Sequence, residues 1–117
     1  MNHLHINVPN VHEAQSFFER YFDFRRVYPG TERVFLMDPN GFLLALDQRE
    51  PGEDPMFPEW FHFGMCKSDP VWAVNLYERM KTDGIVMFSA LEDLEKAALF
   101  FCRGPGGYKI EVRGNKA

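Results

Sequence analysis

Cysteine is scarce in this chain: Cys66 and Cys102 are its two cysteines, 36 residues apart, and no Cys-x-x-Cys occurs. That argues against a disulfide framework and against a cysteine-built zinc site. Basic runs are lacking as well. Thirteen Lys and Arg stand against seventeen Asp and Glu, for a net charge of −4. With no stripe of cations to collect phosphates, nucleic acid is not an expected partner. No apolar stretch approaches the roughly 18 residues of a membrane span, so no membrane association is expected. The opening Met1-Asn2-His3-Leu4-His5 has neither a charged n-region nor an apolar h-region. No secretory signal is therefore expected, and the expected location is cytoplasmic. Aromatic bulk, by contrast, is plentiful: 15% of residues are aromatic, twelve of them Phe. A chain of 117 residues with 45% hydrophobic and 26% charged side chains is one globular domain's worth.

The sequence repeats itself once. Ser16-Phe17-Phe18-Glu19-Arg20 is echoed by Asn75-Leu76-Tyr77-Glu78-Arg79 at a displacement of 59, and His3 is echoed by His62 at the same displacement. Asp38-Pro39-Asn40-Gly41 is echoed by Gly104-Pro105-Gly106-Gly107 at 66, so the second copy carries about seven extra residues. Three matches in order point to a duplication. Pro51, Gly52, Pro55 and Pro58 crowd the stretch between the copies, which reads as a linker. The expected organisation is a single domain over 1–117, with module one at 1–48, a linker at 49–59 and module two at 60–117.

Each copy predicts the order βαβββ. In the first, His3 to Val8 alternates as a strand, with Leu4, Ile6 and Val8 on one face and His3, His5 and Asn7 on the other. Asn10 is placed to cap a helix, with Glu13 three residues on, and Val11, Ala14, Phe17, Phe18 and Tyr21 form its apolar stripe. Strands near Phe24–Tyr28, Arg33–Met37 and Phe42–Gln48 follow. The second copy reads as strand Trp60–Cys66, helix Val71–Asp83, and strands near Val86–Ser89, Ala98–Arg103 and Tyr108–Arg113. Asp69-Pro70 marks the helix start, and Gly84 follows its end. Trp72, Tyr77 and Met80 are expected in the core, as are Cys66 and Cys102 as small buried hydrophobes. Glu92-Asp93-Leu94-Glu95-Lys96, in the extra segment, reads as a solvated loop or short helix.

Strand parity then collects donor side chains. If Ile110 and Val112 pack inward, Lys109, Glu111 and Arg113 lie on the open face. If Phe61, Phe63 and Met65 pack inward, His62, Gly64 and Cys66 do likewise. The open faces thus offer His3, His62 and Glu111. Two imidazoles and one carboxylate are donors that Zn, Fe, Mn or Ni ions accept, and three protein ligands leave room for water or substrate. The repeat equivalent of Glu111 is Ala45, which carries no donor. His5 shares the face of His3, and Asp47 lies two residues beyond Ala45; both are candidates for substrate contact, and Asp47 also for a substitute ligand or base. Glu111 between Lys109 and Arg113 has a plainer reading, as a rung in a surface charge ladder.

Four segments carry a family resemblance: Asn2-His3-Leu4-His5-Ile6-Asn7-Val8-Pro9-Asn10-Val11, Asp38-Pro39-Asn40-Gly41, Phe61-His62-Phe63-Gly64, and Gly104-Pro105-Gly106-Gly107-Tyr108-Lys109-Ile110-Glu111-Val112. Over nearly its whole length the chain resembles the vicinal oxygen chelate superfamily, which includes glyoxalase I, extradiol dioxygenases, and fosfomycin- and bleomycin-resistance proteins. The resemblance implies an α+β fold in which two βαβββ modules form a curved mixed-sheet cup around a divalent metal ion. It maps the ligand positions onto His3, Ala45, His62 and Glu111. Glyoxalase I has a ligand at all four, so Ala45 sets this chain apart from it. The fosfomycin-resistance branch, with two His and one Glu, is the more similar, although it has a Tyr where this chain has Phe101.

The function expected from this resemblance is Lewis-acid chemistry on a small oxygen-rich or electrophilic molecule, of lyase or transferase type. Glu111 would be catalytic, and His5, Asp47, Trp60 and Phe101 would contact substrate. The alternative is a metal-free module of the bleomycin-resistance type that sequesters a flat ligand among Phe57, Trp60 and Phe101. Small members of the family are usually dimers. The expected assembly is therefore a C₂ homodimer in which His3 of one chain meets His62 and Glu111 of the other.

Overall fold

A computed structural model describes residues 1–52 and 57–117. The Pro55 portion of the expected linker lies outside the described residues. The chain divides into two compact units, Met1–Met56 and Phe57–Ala117.

The first unit opens with β1 (His3–Val8), in which Ile6 and Val8 are buried while His3 and His5 are exposed. Alternation of apolar and polar residues thus becomes a one-sided strand. Helix α1 (Val11–Phe22) starts where Asn10 caps it, its Oδ1 accepting from the backbone N–H groups of His12 (3.0 Å) and Glu13 (3.1 Å). Val11, Ala14, Phe17, Phe18 and Tyr21 are buried as the spacing predicts, and Phe22 joins them. Strands β2 (Arg25–Val27), β3 (Val34–Met37) and β4 (Leu43–Gln48) complete a sheet of order β1-β4-β3-β2, with β1 parallel to β4 and the other pairs antiparallel. The parallel pair requires a crossover, which α1 supplies together with β2 and β3.

The second unit repeats the plan. Strand β5 (His62–Lys67), helix α2 (Pro70–Thr82), and strands β6 (Glu92–Asp93), β7 (Ala97–Arg103) and β8 (Lys109–Asn115) form a sheet of order β5-β8-β7-β6, with β5 parallel to β8. Asp69 Oδ1 caps α2 by accepting from the N–H groups of Val71 and Trp72, and Pro70 sits in its first turn, where its missing N–H costs nothing. Gly84 takes φ 82° just past the helix end, as the C′ position requires. The architecture is α+β, two βαβββ modules with mixed four-stranded sheets, as expected.

Three expectations change. The Val86–Ser89 segment is not a regular strand. It makes an isolated bridge from Met87 to Cys102, and pairing along β7 resumes only at Glu92–Asp93, inside the stretch expected to be a loop or short helix. One edge strand is thus broken into two short contacts by the extra residues. In α2 the buried stripe is Ala73, Leu76 and Met80; Trp72 and Tyr77 are half-exposed, their rings lying under the ammonium groups of Lys67 (4.9 Å) and Lys81 (5.3 Å). Cys66 is exposed, because its parity in β5 is that of His62, whereas Cys102 is buried and its thiol is pushed up to about 12 by burial.

Two glycines record close packing in the second unit. A Cβ on Gly114 would lie 2.4 Å from the backbone oxygen of Asp69, so the start of α2 rests directly on β8. A Cβ on Gly104 would lie 2.1 Å from the ring of Tyr108, a fully buried residue that meets Phe57 edge-on and Phe63 at a tilt.

Candidate functional site

Each sheet turns one face to its helix and leaves the other open, and the candidate residues stand on the open faces. In the first unit the Nδ1 of His3 is 2.7 Å from the Asn2 side-chain oxygen. That oxygen accepts, so Nδ1 carries the hydrogen and the neutral ring keeps its lone pair on Nε2. Two residues on, His5 is engaged the other way round. Its Nε2 is 2.6 Å from Asp47 Oδ2, which leaves the lone pair of the neutral ring on Nδ1. Asp47 is also gripped by Arg33, whose Nε donates to Oδ1 at 2.7 Å and Nη2 to Oδ2 at 3.3 Å. The Arg33 hydrogen bonds hold the Asp47 carboxyl below its ordinary value against partial burial, and His5 adds to the effect. Asp47 in turn raises Arg33.

Ala45 stands opposite His5 in the β1–β4 register and is 8% exposed. Arg33 is the member of this network that the sequence reading left out. Its signal was there, since Val34 and Leu36 are buried and the intervening parity puts Arg33 and Phe35 on the open face.

In the second unit the Nδ1 of His62 donates to the Trp60 carbonyl at 3.0 Å, again leaving Nε2 for another partner. The His62 ring stands edge-on to Phe101, centroids 5.4 Å apart. Glu111 pairs with Gly64, and a Cβ on that glycine would sit 3.5 Å from Glu111 Oε2. The bare glycine leaves room beside the carboxylate, and Glu111 is half-buried on the open face. The cations flanking Glu111 are turned elsewhere: Lys109 Nζ lies 5.4 Å from the centre of the Phe88 ring, and Arg113 Nε donates to Asn115 at 2.7 Å. A ladder of surface ion pairs does not describe these contacts. Beside His62 lies a concavity of about 310 Å³, walled by Trp60, Phe88 and Phe101 and edged by Ser89, Lys109 and Glu59. Phe88 and Ser89 were not expected as lining residues, because 86–89 read as a regular strand; Lys109 is on the open face as parity predicts.

The structure thus groups His3 with His5, Asp47 and Arg33 in one unit, and His62 with Glu111, Trp60 and Phe101 in the other. Among the described residues no group of three or more His, Cys, Asp or Glu side chains could by itself hold a metal ion. The open faces nevertheless present nitrogen and oxygen donors suited to a borderline divalent ion, and among the described residues Nε2 of His3 and of His62 has no hydrogen-bond partner. Among the described residues no helix is long and apolar enough to cross a membrane.

A possible glyoxalase from Bacillus cereus is similar in structure at TM-score 0.81, with 28% sequence identity and 96% of both chains covered. A glyoxalase/bleomycin resistance protein/dioxygenase from Alicyclobacillus acidocaldarius is similar at TM-score 0.69 and 26% identity, over 97% of this chain and 89% of the other. The fosfomycin resistance protein FosX from Listeria monocytogenes, solved as a complex with Mn(II) and sulfate ion, shares the fold at TM-score 0.78 but only 12% identity, over 97% of this chain and 88% of that one. No curated protein matches the chain. The family described as the glyoxalase/bleomycin resistance protein/dioxygenase superfamily matches residues 1–112. With nearly the whole chain matched and both modules folded as that family requires, the protein belongs to the glyoxalase/bleomycin resistance protein/dioxygenase superfamily.

Proposed function

We propose that the protein is a metal-dependent enzyme acting on a small oxygen-rich or electrophilic molecule, with His3, His62 and Glu111 holding one divalent ion. One observation carries the reading. Both histidines spend Nδ1–H on an oxygen within two residues and keep Nε2 free, which is how ligating imidazoles are oriented. When bound, the ion supplies a Lewis acid for adjacent substrate oxygens. Glu111 supplies the anionic donor, with room left beside it by Gly64. Trp60 and Phe101, with Phe88, hold the apolar part of the substrate, and Lys109 offers a cation to an acidic group on it.

The chain is further proposed to act as a homodimer with sites shared between subunits. Strands β1 and β5 each lie at a sheet edge, and open edges are a liability unless paired. Co-refolding His3→Ala with His62→Ala chains should restore part of the metal binding, since one of the two shared sites would be intact. No recovery despite proven heterodimers would defeat the sharing.

For the metal itself, protein purified without a His-tag or added metal should carry about one divalent ion per chain, and His62→Ala should lose it. Equal metal content in both would refute the reading. The aromatic concavity favours a second reading, metal-free sequestration of a flat ligand. Titration of metal-free protein with aromatic acids, followed through Trp60 fluorescence, tests that; micromolar binding unchanged by a chelator would support it.

A further inference from the structure

The two modules place their donors in reciprocal fashion. In the second, Glu111 on the last strand faces Gly64 on the first. In the first, the equivalent pair is His5 and Ala45, so the donor stands on the first strand and the small residue on the last. Each register pair therefore combines one donor with one residue too small to cover it. In the first module the imidazole therefore stands on the first strand, where the second module carries its carboxylate on the last.

The surroundings of His5 fit that role. His3 and His5, two residues apart, share one face of β1. Asp47 holds the Nε2 side of the His5 ring, and Arg33 holds both oxygens of Asp47. A carboxylate that accepts from one ring nitrogen while the other keeps its lone pair is the usual support of a metal-bound imidazole, fixing both tautomer and ring orientation. His5 is exposed, so this orientation is not a product of core packing.

We propose that His5 is a fourth metal ligand through Nδ1, making the donor set three imidazoles and one carboxylate, with Asp47 and Arg33 as positioning residues. The proposal rests on the metal-dependent reading above and adds a preference to it. A nitrogen-rich set suits Zn²⁺ or Ni²⁺ better than Mn²⁺, which favours oxygen donors.

The test uses full-length protein, with zinc and manganese as probes. X-ray absorption of the zinc-loaded protein should count three imidazoles in the wild type and two in His5→Ala. Chelator competition should show zinc affinity falling by more than about 100-fold in His5→Ala, beyond the range of changes around a ligand, and by about 10–100-fold in Asp47→Asn. Manganese affinity should fall less than zinc affinity in His5→Ala. Two imidazoles in the wild type, or zinc affinity unchanged in His5→Ala while His62→Ala loses it, would overturn the assignment of His5 and leave the metal-dependent reading standing. A wild type that takes up no zinc, nickel or manganese overturns both. Should His5→Ala fail to fold, the imidazole count of the wild type and the Asp47→Asn affinity decide the matter.

Discussion

The two modules follow one backbone plan yet join their last strand to their helix by different means. In the first, Gln48 at the end of β4 reaches across with its side chain. Its Oε1 accepts from the Val11 N–H at 3.1 Å, and its Nε2 donates to the Pro9 carbonyl. In the second, the equivalent residue is Gly114, and the backbone of Asp69 and Pro70 occupies the space a side chain would need.

The turn before the last strand shows the same divergence. Asp38 and Gly104 make matching backbone bonds: each N–H donates to the carbonyl four residues on, Phe42 or Tyr108, and each carbonyl accepts from Gly41 or Gly107. In the first module the Asp38 carboxylate also caps the turn, accepting from Asn40 and Phe42; in the second, the Tyr108 ring lies against the bare glycine. A duplicated scaffold thus preserves hydrogen-bonded geometry while exchanging side-chain bridges for direct contact.

A side chain placed where the second module has none should have the largest effect. Gly114→Ala should destabilise the protein by about 3 kcal/mol, because its Cβ meets backbone that cannot rotate away. Gln48→Ala should cost only about 1 kcal/mol, the worth of its hydrogen bonds. Denaturant unfolding of both variants checks the asymmetry, and equal losses would contradict it. Gly104→Ala should come next, at about 2 kcal/mol, since the Tyr108 ring is buried and has little room to shift. Asp38→Ala should cost about 1 kcal/mol through its lost turn bonds. The helix caps should be alike: Asn10→Ala and Asp69→Ala should each lower stability by about 1 kcal/mol in thermal unfolding.

The smallest effect concerns pH. Arg33 and His5 hold the Asp47 carboxyl below its unfolded value of about 4. The resulting stability is present above pH 4 and is lost as pH falls through the lowered folded value. Asp47→Asn should remove that acid-side loss. The change should be small, because Arg33 is about half exposed and Asp47 about one-third, so solvent screens the pair. Melting temperatures from pH 2 to 7 would show it.

Much of this was legible in the chain because it rests on local chemistry. Alternation in His3–Val8, the Asn10 and Asp69 caps, Gly84 past α2 and the repeat itself follow from residue periodicity and backbone preference, which need no distant partner. Parity also placed His3, His5, His62 and Glu111 on open faces, as found. Other features depend on what lies across the sheet or on a helix. The broken edge at Met87 and Glu92 follows from where β7 offers hydrogen bonds, not from the apolar content of 86–89. The exposure of Trp72 and Tyr77 is set by which side of α2 meets β7 and β8, and lysines then cover the rings.

Residue order alone is enough to write two βαβββ modules, their caps and the strand face of each His and Glu, because periods of 2 and 3.6 are properties of the backbone. The grip of Arg33 on Asp47, the contact of Asp47 with His5, and the pairing of Ala45 with His5 and of Gly64 with Glu111 arise only when the strands assemble. Those relations join residues up to 47 positions apart, and register, a property of paired strands, brings them together.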